Sequence, residues 1–343
     1  MPTGSDMESS SLQKPRTKAN TIFWISVFFL GVFSMLAILY IATIKIDYVW
    51  RWYNVPRYFA HHEKVETKAE IEGTVASISA DGNRTVVSVK GEDGAEVYTI
   101  EHEKVEVWVG EGDLISPGDT LAHYMEWRPG IMLQGMWITL KASLYAIVFG
   151  ILIGLMGGIA RLSSNPAFKW AAITYVEIIR GSPLLVQIFI WYFVFATLVN
   201  NILLHYSLRE IPAIYYGVAS LACFTGAYVT EIVRAGIQSI HKGQSEASRS
   251  LGMTYAQSMY HVILPQAMRR ILPPLAGQFI SLVKDSSLLG IIAIRELTKA
   301  TREAITVSLQ PYEFWFVCAI MYLVLTFALS MFVQYLERRY ETS

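Results

Sequence analysis

Two adjacent ionisable residues, Lys284 and Asp285, stand inside an apolar stretch that spans residues 275–294. An ionisable group at the centre of a membrane-spanning helix costs about 2.5–3.5 kcal/mol on insertion scales, so it needs a polar passage or a partner on another helix. Neighbours on a helix diverge by about 100°, so these two do not simply satisfy one another. Lining a path for a polar solute and pairing between helices are both open to them. A second polar stretch, Gln244 to Pro265, separates two long apolar segments. Its first half predicts a short helix closed by Gly252, a residue suited to the left-handed position after a helix. Thr254 and Gln257 form a T-x-x-Q capping box that starts a second helix, with Tyr255, Met259, Val262 and Ile263 available for one apolar face. Pro265 cannot donate into that helix and disturbs it there. A compact helical hairpin at a membrane surface is a shape that a partner can hold in a groove.

Other chemistry is missing. No Gly-Lys dipeptide occurs, so the Gly-Lys-Ser/Thr cradle of a P-loop is excluded, and any ATP-driven work must draw on a partner. His61, His62, His102 and His123 lack zinc-ligand spacing, and no Gly-x-Ser-x-Gly nucleophile elbow is present. No metal site is expected. Cys223 and Cys318 lie in apolar segments and read as small buried hydrophobes.

Glu246-Ala247-Ser248, Gly252 and Val262-Ile263-Leu264-Pro265 resemble, in type and spacing, the cytoplasmic coupling loop of ABC-importer permease subunits. Ser248 and Val262 stand where Ala and Ile are usual in that pattern. Glu177–Gln187, which includes Arg180-Gly181-Ser182-Pro183, and Val283-Lys284-Asp285-Ser286-Ser287-Leu288-Leu289 resemble the polar amino-acid branch, of histidine, glutamine, glutamate or arginine type. The resemblance covers roughly residues 131–343. It implies a type I ABC-importer permease fold and a non-enzymatic subunit that moves polar amino acids by alternating access. ATP and Mg would sit on ABC ATPase subunits, with no cofactor on this chain. The other implied partners are an extracytoplasmic substrate-binding protein, a second permease copy or a homologous permease, and the surrounding lipid. Glu246, Ala247, Ser248, Gly252, Leu264 and Pro265 would form the ATPase-coupling site. Lys284 and Asp285 would face the substrate path, and Arg180, Gly181, Ser182 and Pro183 would mark a helix break.

The elements that must position these residues follow from composition. The 343 residues are 53% hydrophobic and 16% charged, where a soluble domain carries about 25% charged residues, which points to a membrane protein. Mean hydropathy is +0.37. Residues 21–44 are long enough to span a bilayer, and their apolar core is too long, without a small-x-small cleavage site, for a signal peptide. Lys14, Arg16 and Lys18 before this stretch place residues 1–20 in the cytoplasm as a tail. Further spans are expected at 134–160, 171–200 with a break at Gly181-Ser182-Pro183, 213–235, 275–294 and 314–336. Gly150, Gly154 and Gly158 have the small-xxx-small spacing of closely packed helices. The fold class is therefore an all-α polytopic membrane protein of about six transmembrane helices. Residues 131–343 form a five-helix core, with the coupling loop at 240–270. Arg161, Lys169, Arg234, Lys242, Arg249, Arg269, Arg270, Arg338 and Arg339 fall inside, against Arg209, Arg295, Lys299 and Arg302 outside. This puts both termini in the cytoplasm and residues 45–130 outside a bacterial inner membrane. Glu177, Arg180, Glu231 and Arg234 lie near span ends, where structural pairing is expected.

Residues 45–130 combine an aromatic connector with a small inserted β-barrel or sandwich. Strands are expected at 71–79, 85–90, 95–101 and 105–109, with turns at Asp81-Gly82-Asn83 and Glu92-Asp93-Gly94. The tail Val109–Leu121 resembles the closing turn of lipoyl-like modules without their central Lys, so no cofactor is expected. Residues 61–126 carry fifteen acids against five bases, a balance that argues against nucleic acid. An alternative reading is a membrane-anchored receptor or adaptor whose β-module binds a ligand. Co-purification of an ATPase separates the two.

Overall fold

The computed structural model describes residues 18–92 and 94–341. The chain divides into two compact units, one ending at Arg51 and the other beginning at Trp52. In the first, helix α1 (Lys18–Lys45) is predominantly apolar from Ile22 to Ile44. Thr43 closes it: its hydroxyl donates to the Tyr40 carbonyl (2.7 Å) and accepts from the Trp50 indole (3.1 Å).

The second unit begins with a module of seven strands: β1 (Ala60–Lys68), β2 (Gly73–Asp81), β3 (Arg84–Gly91), β4 (Gly94–Glu101), β5 (Val105–Val107), β6 (Leu114–Ile115) and β7 (Thr120–Pro129). They form two antiparallel sheets, β1-β7-β5 and β4-β3-β2-β6. The two ladders do not join into a closed barrel among the described residues. Ala69, Val75, Val87, Val89, Ile115 and Leu121 form one apolar core under both sheets. The first expected turn is present, with Gly82 at φ +58; Asp93 of the second lies outside the described residues.

β1 falls where a connector was expected. Its sequence, Ala-His-His-Glu-Lys-Val-Glu-Thr-Lys, is polar on both faces, so no alternation marks it; its order comes from pairing with β7, Ala60 opposite Pro129 through Lys68 opposite Thr120. The foot of this ribbon is fastened to the helices. Val55, Tyr58 and Phe59 pack with Met132, Leu297 and Phe314, and the Tyr58 and Phe314 rings meet edge-on at 4.7 Å. Gly130 donates to the Phe59 carbonyl (2.6 Å), and a Cβ there would strike the Tyr58 backbone.

Among the described residues, six stretches are long and apolar enough to cross a membrane: Ile22–Lys45, Ile131–Arg161, Leu184–His205, Ala213–Gln238, Tyr255–Ile292 and Pro311–Tyr335. Helix α2 (Ile131–Arg161) and helix α6 (Ala213–Gln238) lie parallel, since Gly150 faces Thr225, Gly154 faces Val229 and Gly158 faces Val233. The three glycines expected to form a close seam do so. Side chains at these positions would collide with α6, so their absence lets the backbones approach.

Between α2 and α6, the span expected at 171–200 is divided at its expected break. Helix α3 (Pro166–Gly181) stops, Ser182 and Pro183 are extended (ψ 146 and 136), and a new helix runs from α4 (Leu184–Phe189) through a π-helical segment, Ile190–Ala196, into α5 (Thr197–His205). After α6 come the short helices α7 (Lys242–Ser250) and α8 (Tyr255–Ser258), then a π-turn, Met259–Ile263. Helix α9 (Leu264–Asp285) follows, then a 3-10 segment, Ser286–Ile292, helix α10 (Leu297–Ser308) and helix α11 (Pro311–Glu341).

The coupling loop expected at 240–270 and the span expected at 275–294 therefore need correction, because α9 begins at Leu264. Pro265 sits in its first turn, where a missing N–H is tolerated, and the π-turn absorbs the disturbance. Pro273 and Pro274 lie within α9 without ending it.

Candidate functional site

The hairpin formed by α7 and α8 is built by local bonds. His241 caps α7 by accepting from Gly243 N–H through Nδ1 (3.1 Å). At the other end, Gly252 adopts φ +81, and Gly252 and Met253 donate back to the carbonyls of Arg249 (2.9 Å) and Ser248 (3.3 Å). Thr254 then opens α8 with the expected capping box. Its hydroxyl accepts from Gln257 N–H (3.3 Å), while Gln257 Oε1 accepts from Thr254 N–H (2.9 Å).

Tertiary bonds tie the hairpin to α9 and α9 to the end of α6. Arg270 on α9 donates to the Ser239 carbonyl after α6 (2.5 Å), and Gln266 bridges Gln244 (3.1 Å) and the Val262 carbonyl (2.9 Å). Ile263, Ala267 and Ile271 are buried against Val229, Val233 and Ile240. The coupling candidates thus separate by position. Glu246, Ala247 and Gly252 lie on the exposed side, Leu264 is half-buried, Pro265 is exposed, and Ser248 alone turns inward. Leu251 and Tyr255 are exposed beside them. A cleft of about 740 Å³, with Leu162, Arg249, Tyr255, Met259 and Leu264 on its walls, separates the hairpin from the α2–α3 turn. The surface offered is a polar helix with an apolar tip, held from behind.

Lys284 and Asp285 diverge as expected: Lys284 is exposed and Asp285 half-buried at the end of α9. Neither forms an ion pair with the other, nor with any described residue. Arg180 stands over the Tyr228 ring (5.1 Å). Glu231 takes Arg161 (2.8 Å) and Arg234 (2.7 Å), joining α2 to α6 at one end of the seam. Gly181, Ser182 and Pro183 form the break itself.

Two residues to which the sequence assigned no role of their own organise this frame. Gln187 spans the break, donating through Nε2 to Ile179 and Ser182. Glu296 is fully buried and caps α10, accepting from the N–H groups of Thr298 and Lys299 (2.7 Å each) and the Tyr322 hydroxyl (3.0 Å). Burial pushes its carboxyl above the ordinary value, against the opposing pull of these donors. A Glu is not among the favoured capping residues, so the sequence carried no signal for it.

Residues 146–342 match the family described as binding-protein-dependent transport system inner membrane component. The chain is 39% identical over 211 residues to a probable glutamine ABC transporter permease protein of Bacillus subtilis (strain 168), covering 62% of this chain and 94% of that one. It is 35% identical over 209 residues to the glutamine transport system permease protein of Escherichia coli (strain K12), covering 61% and 92%. A solved amino acid ABC transporter with histidines superimposes with a TM-score of 0.54 at 39% identity, over 61% of this chain and 94% of that one. The β-module lies before the matched family region. With a helical core and these relatives, the chain belongs to the binding-protein-dependent transport system inner membrane components.

Proposed function

We propose that this chain is the permease subunit of an ATP-driven importer of polar amino acids, and that the α7–α8 hairpin is where its ATPase acts. The observation that carries this reading is the hairpin: each of its helices capped at its N-terminus, bonded to α9 through Gln244 and Gln266, and exposing Glu246, Ala247 and Gly252. The chain contributes no nucleotide cradle, so hydrolysis belongs to ATPase subunits that hold ATP and Mg. A substrate-binding protein delivers the amino acid on the opposite side, and a second copy or a homologous permease completes the passage.

In this reading the hairpin faces the cytoplasm with both termini, and the β-module lies outside. The support is the excess of Lys and Arg on the hairpin side. Nucleotide-driven closure of the ATPases moves the hairpin. Because α9 leaves the hairpin without a loop, that movement passes directly to the helix bearing Lys284 and Asp285. The two residues meet the charged ends of the substrate as the core alternates between two packed states.

The test is purification with the candidate ATPase and binding protein, followed by reconstitution into proteoliposomes. ATP-dependent accumulation of labelled glutamine, glutamate, arginine or histidine is expected. A chain that brings down no ATPase, or accumulates none of the four, overturns the proposal.

A further inference from the structure

α7 is nearly devoid of hydrophobic attachment. Its sequence is Lys-Gly-Gln-Ser-Glu-Ala-Ser-Arg-Ser; Ala247 is exposed, and Ser248 is its one buried residue. α8 also buries one residue, Ser258. These two side chains meet: Ser248 Oγ and Ser258 Oγ are hydrogen-bonded to one another inside the hairpin. The direction of the bond follows from a second contact. Ser248 Oγ donates its proton to the Ser245 carbonyl (2.9 Å), so the shared proton is the one on Ser258, and Ser248 accepts it.

A helix of nine mostly polar residues is marginal by itself. Its hold on α8 comes from the Gly252 turn and this buried pair, while the exposed Gln244–Gln266 bond ties it to α9. A turn fixes the connection between two arms but leaves the angle between them free to flex. A bond ten residues apart in sequence fixes that angle. The resembled coupling pattern has Ala at the position of Ser248, so the hydroxyl is an addition in this chain.

We infer that the buried Ser248–Ser258 hydroxyl pair is a positioning contact that makes the coupling hairpin move as one body. Force applied to α7 then reaches α9 instead of being lost by bending at residues 251–253. The inference rests on the reading of the hairpin as the ATPase contact. Ser248 and Ser258 are buried inside the hairpin, so their effect is on the efficiency of coupling and not on either chemistry.

The experiment measures ATP hydrolysed per amino acid accumulated, in proteoliposomes holding the whole complex, with an equimolar mixture of labelled glutamine, glutamate, arginine and histidine. For Ser248→Ala/Ser258→Ala the ratio is expected to rise about fivefold, the factor that one net hydrogen bond represents, with the ATPase still co-purifying. Ser248→Ala alone leaves the Ser258 hydroxyl buried and unpaired, whereas Ser258→Ala leaves Ser248 bonded to Ser245, so the first is the more damaging single change.

Ser248→Cys/Ser258→Cys provides a reversible control in one protein. Side chains in contact at Oγ have Cβ atoms near the separation of a disulfide, about 3.5–4.5 Å. Oxidation is expected to bring the ratio within about twofold of the unaltered complex, and reduction to raise it again. An unchanged ratio in the double Ala variant overturns the inference. Loss of the ATPase from that variant also overturns it, assigning the pair to assembly. If no ATPase binds the unaltered chain, the coupling reading fails first and takes this inference with it.

Discussion

Gln187 donates through Nε2 to the carbonyl oxygen of Ile179, eight residues earlier, at 2.7 Å. The bond crosses the extended pair Ser182–Pro183 and seals the end of α3. A helix leaves its last carbonyls without intrahelical donors, and Gln187 serves both Ile179 and the Ser182 carbonyl (3.2 Å) while also reaching Ser182 Oγ (2.9 Å). Gln187→Leu keeps the bulk and removes the donors. The expected loss is about 1–3 kcal/mol, the penalty for leaving buried acceptors unpaired, seen as a lower Tm of the purified chain in detergent. An unchanged Tm would show that water or lipid-side polar groups replace the bond.

Gly154 places the α2 backbone against Val229 of α6. Gly154→Val adds volume at a seam with no free space, where overpacking costs about 1–3 kcal/mol or more. Folded, monodisperse protein recovered by size-exclusion chromatography is expected to fall sharply. Gly277→Ala, where nothing lies within 4 Å of the new Cβ, is the matched control and leaves recovery intact. Equal recovery of both variants would mean that the seam can open without loss.

The parts of the fold that the sequence made legible are those set by composition or by local bonding. The membrane helices, the capping box at Thr254, the left-handed Gly252 and the break at Ser182–Pro183 all follow from neighbouring residues alone. The divergence of Lys284 and Asp285 follows from helical geometry. What stayed hidden depends on partners distant in sequence. β1 has no apolar face and exists through β7; α9 runs past Pro273–Pro274 because its outer turns pack on α6. Gln187 and Glu296 look like ordinary polar residues until the carbonyls, N–H groups and hydroxyl they serve are brought to them.

Asp285 and Lys284 form no ion pair among the described residues, so their substitution tests transport without breaking one there. Asp285→Ala and Lys284→Ala are expected to lower amino-acid uptake at least about tenfold, the factor that 1.4 kcal/mol of lost interaction represents. Co-purification of ATPase and binding protein should be unaffected. Uptake at the unaltered rate by both variants, in a stably assembled complex, would remove these residues from the path.

Gly252 has φ +81 and open space where a Cβ would point. The cost of a side chain there is backbone strain, not collision: about 1–2 kcal/mol for an ordinary L-residue. Gly252→Val is expected to abolish uptake while the protein remains in the membrane, whereas Gly252→Asn, which tolerates the left-handed conformation, retains most of it. Membrane-fraction immunoblots and uptake together provide the check. Normal uptake by the Val variant would deny the turn its role.

Glu296 provides a prediction in pH. Its carboxyl is pushed above the ordinary 4.5 chiefly by burial, with the Thr298 and Lys299 N–H groups and the Tyr322 hydroxyl pulling the other way. The native state therefore keeps this proton to a higher pH than the unfolded chain does. Its contribution to stability is fully present below 4.5 and is lost as pH rises through the folded value. Glu296→Gln retains an acceptor for the α10 cap and has no proton to lose. The Tm of the unaltered protein minus that of Glu296→Gln, followed in detergent from pH 4.5 upward, is accordingly expected to decrease as pH rises and then to level off. A difference that grows with pH would mean that the capping N–H groups outweigh burial, and that the carboxylate, not the acid, is the form the fold prefers.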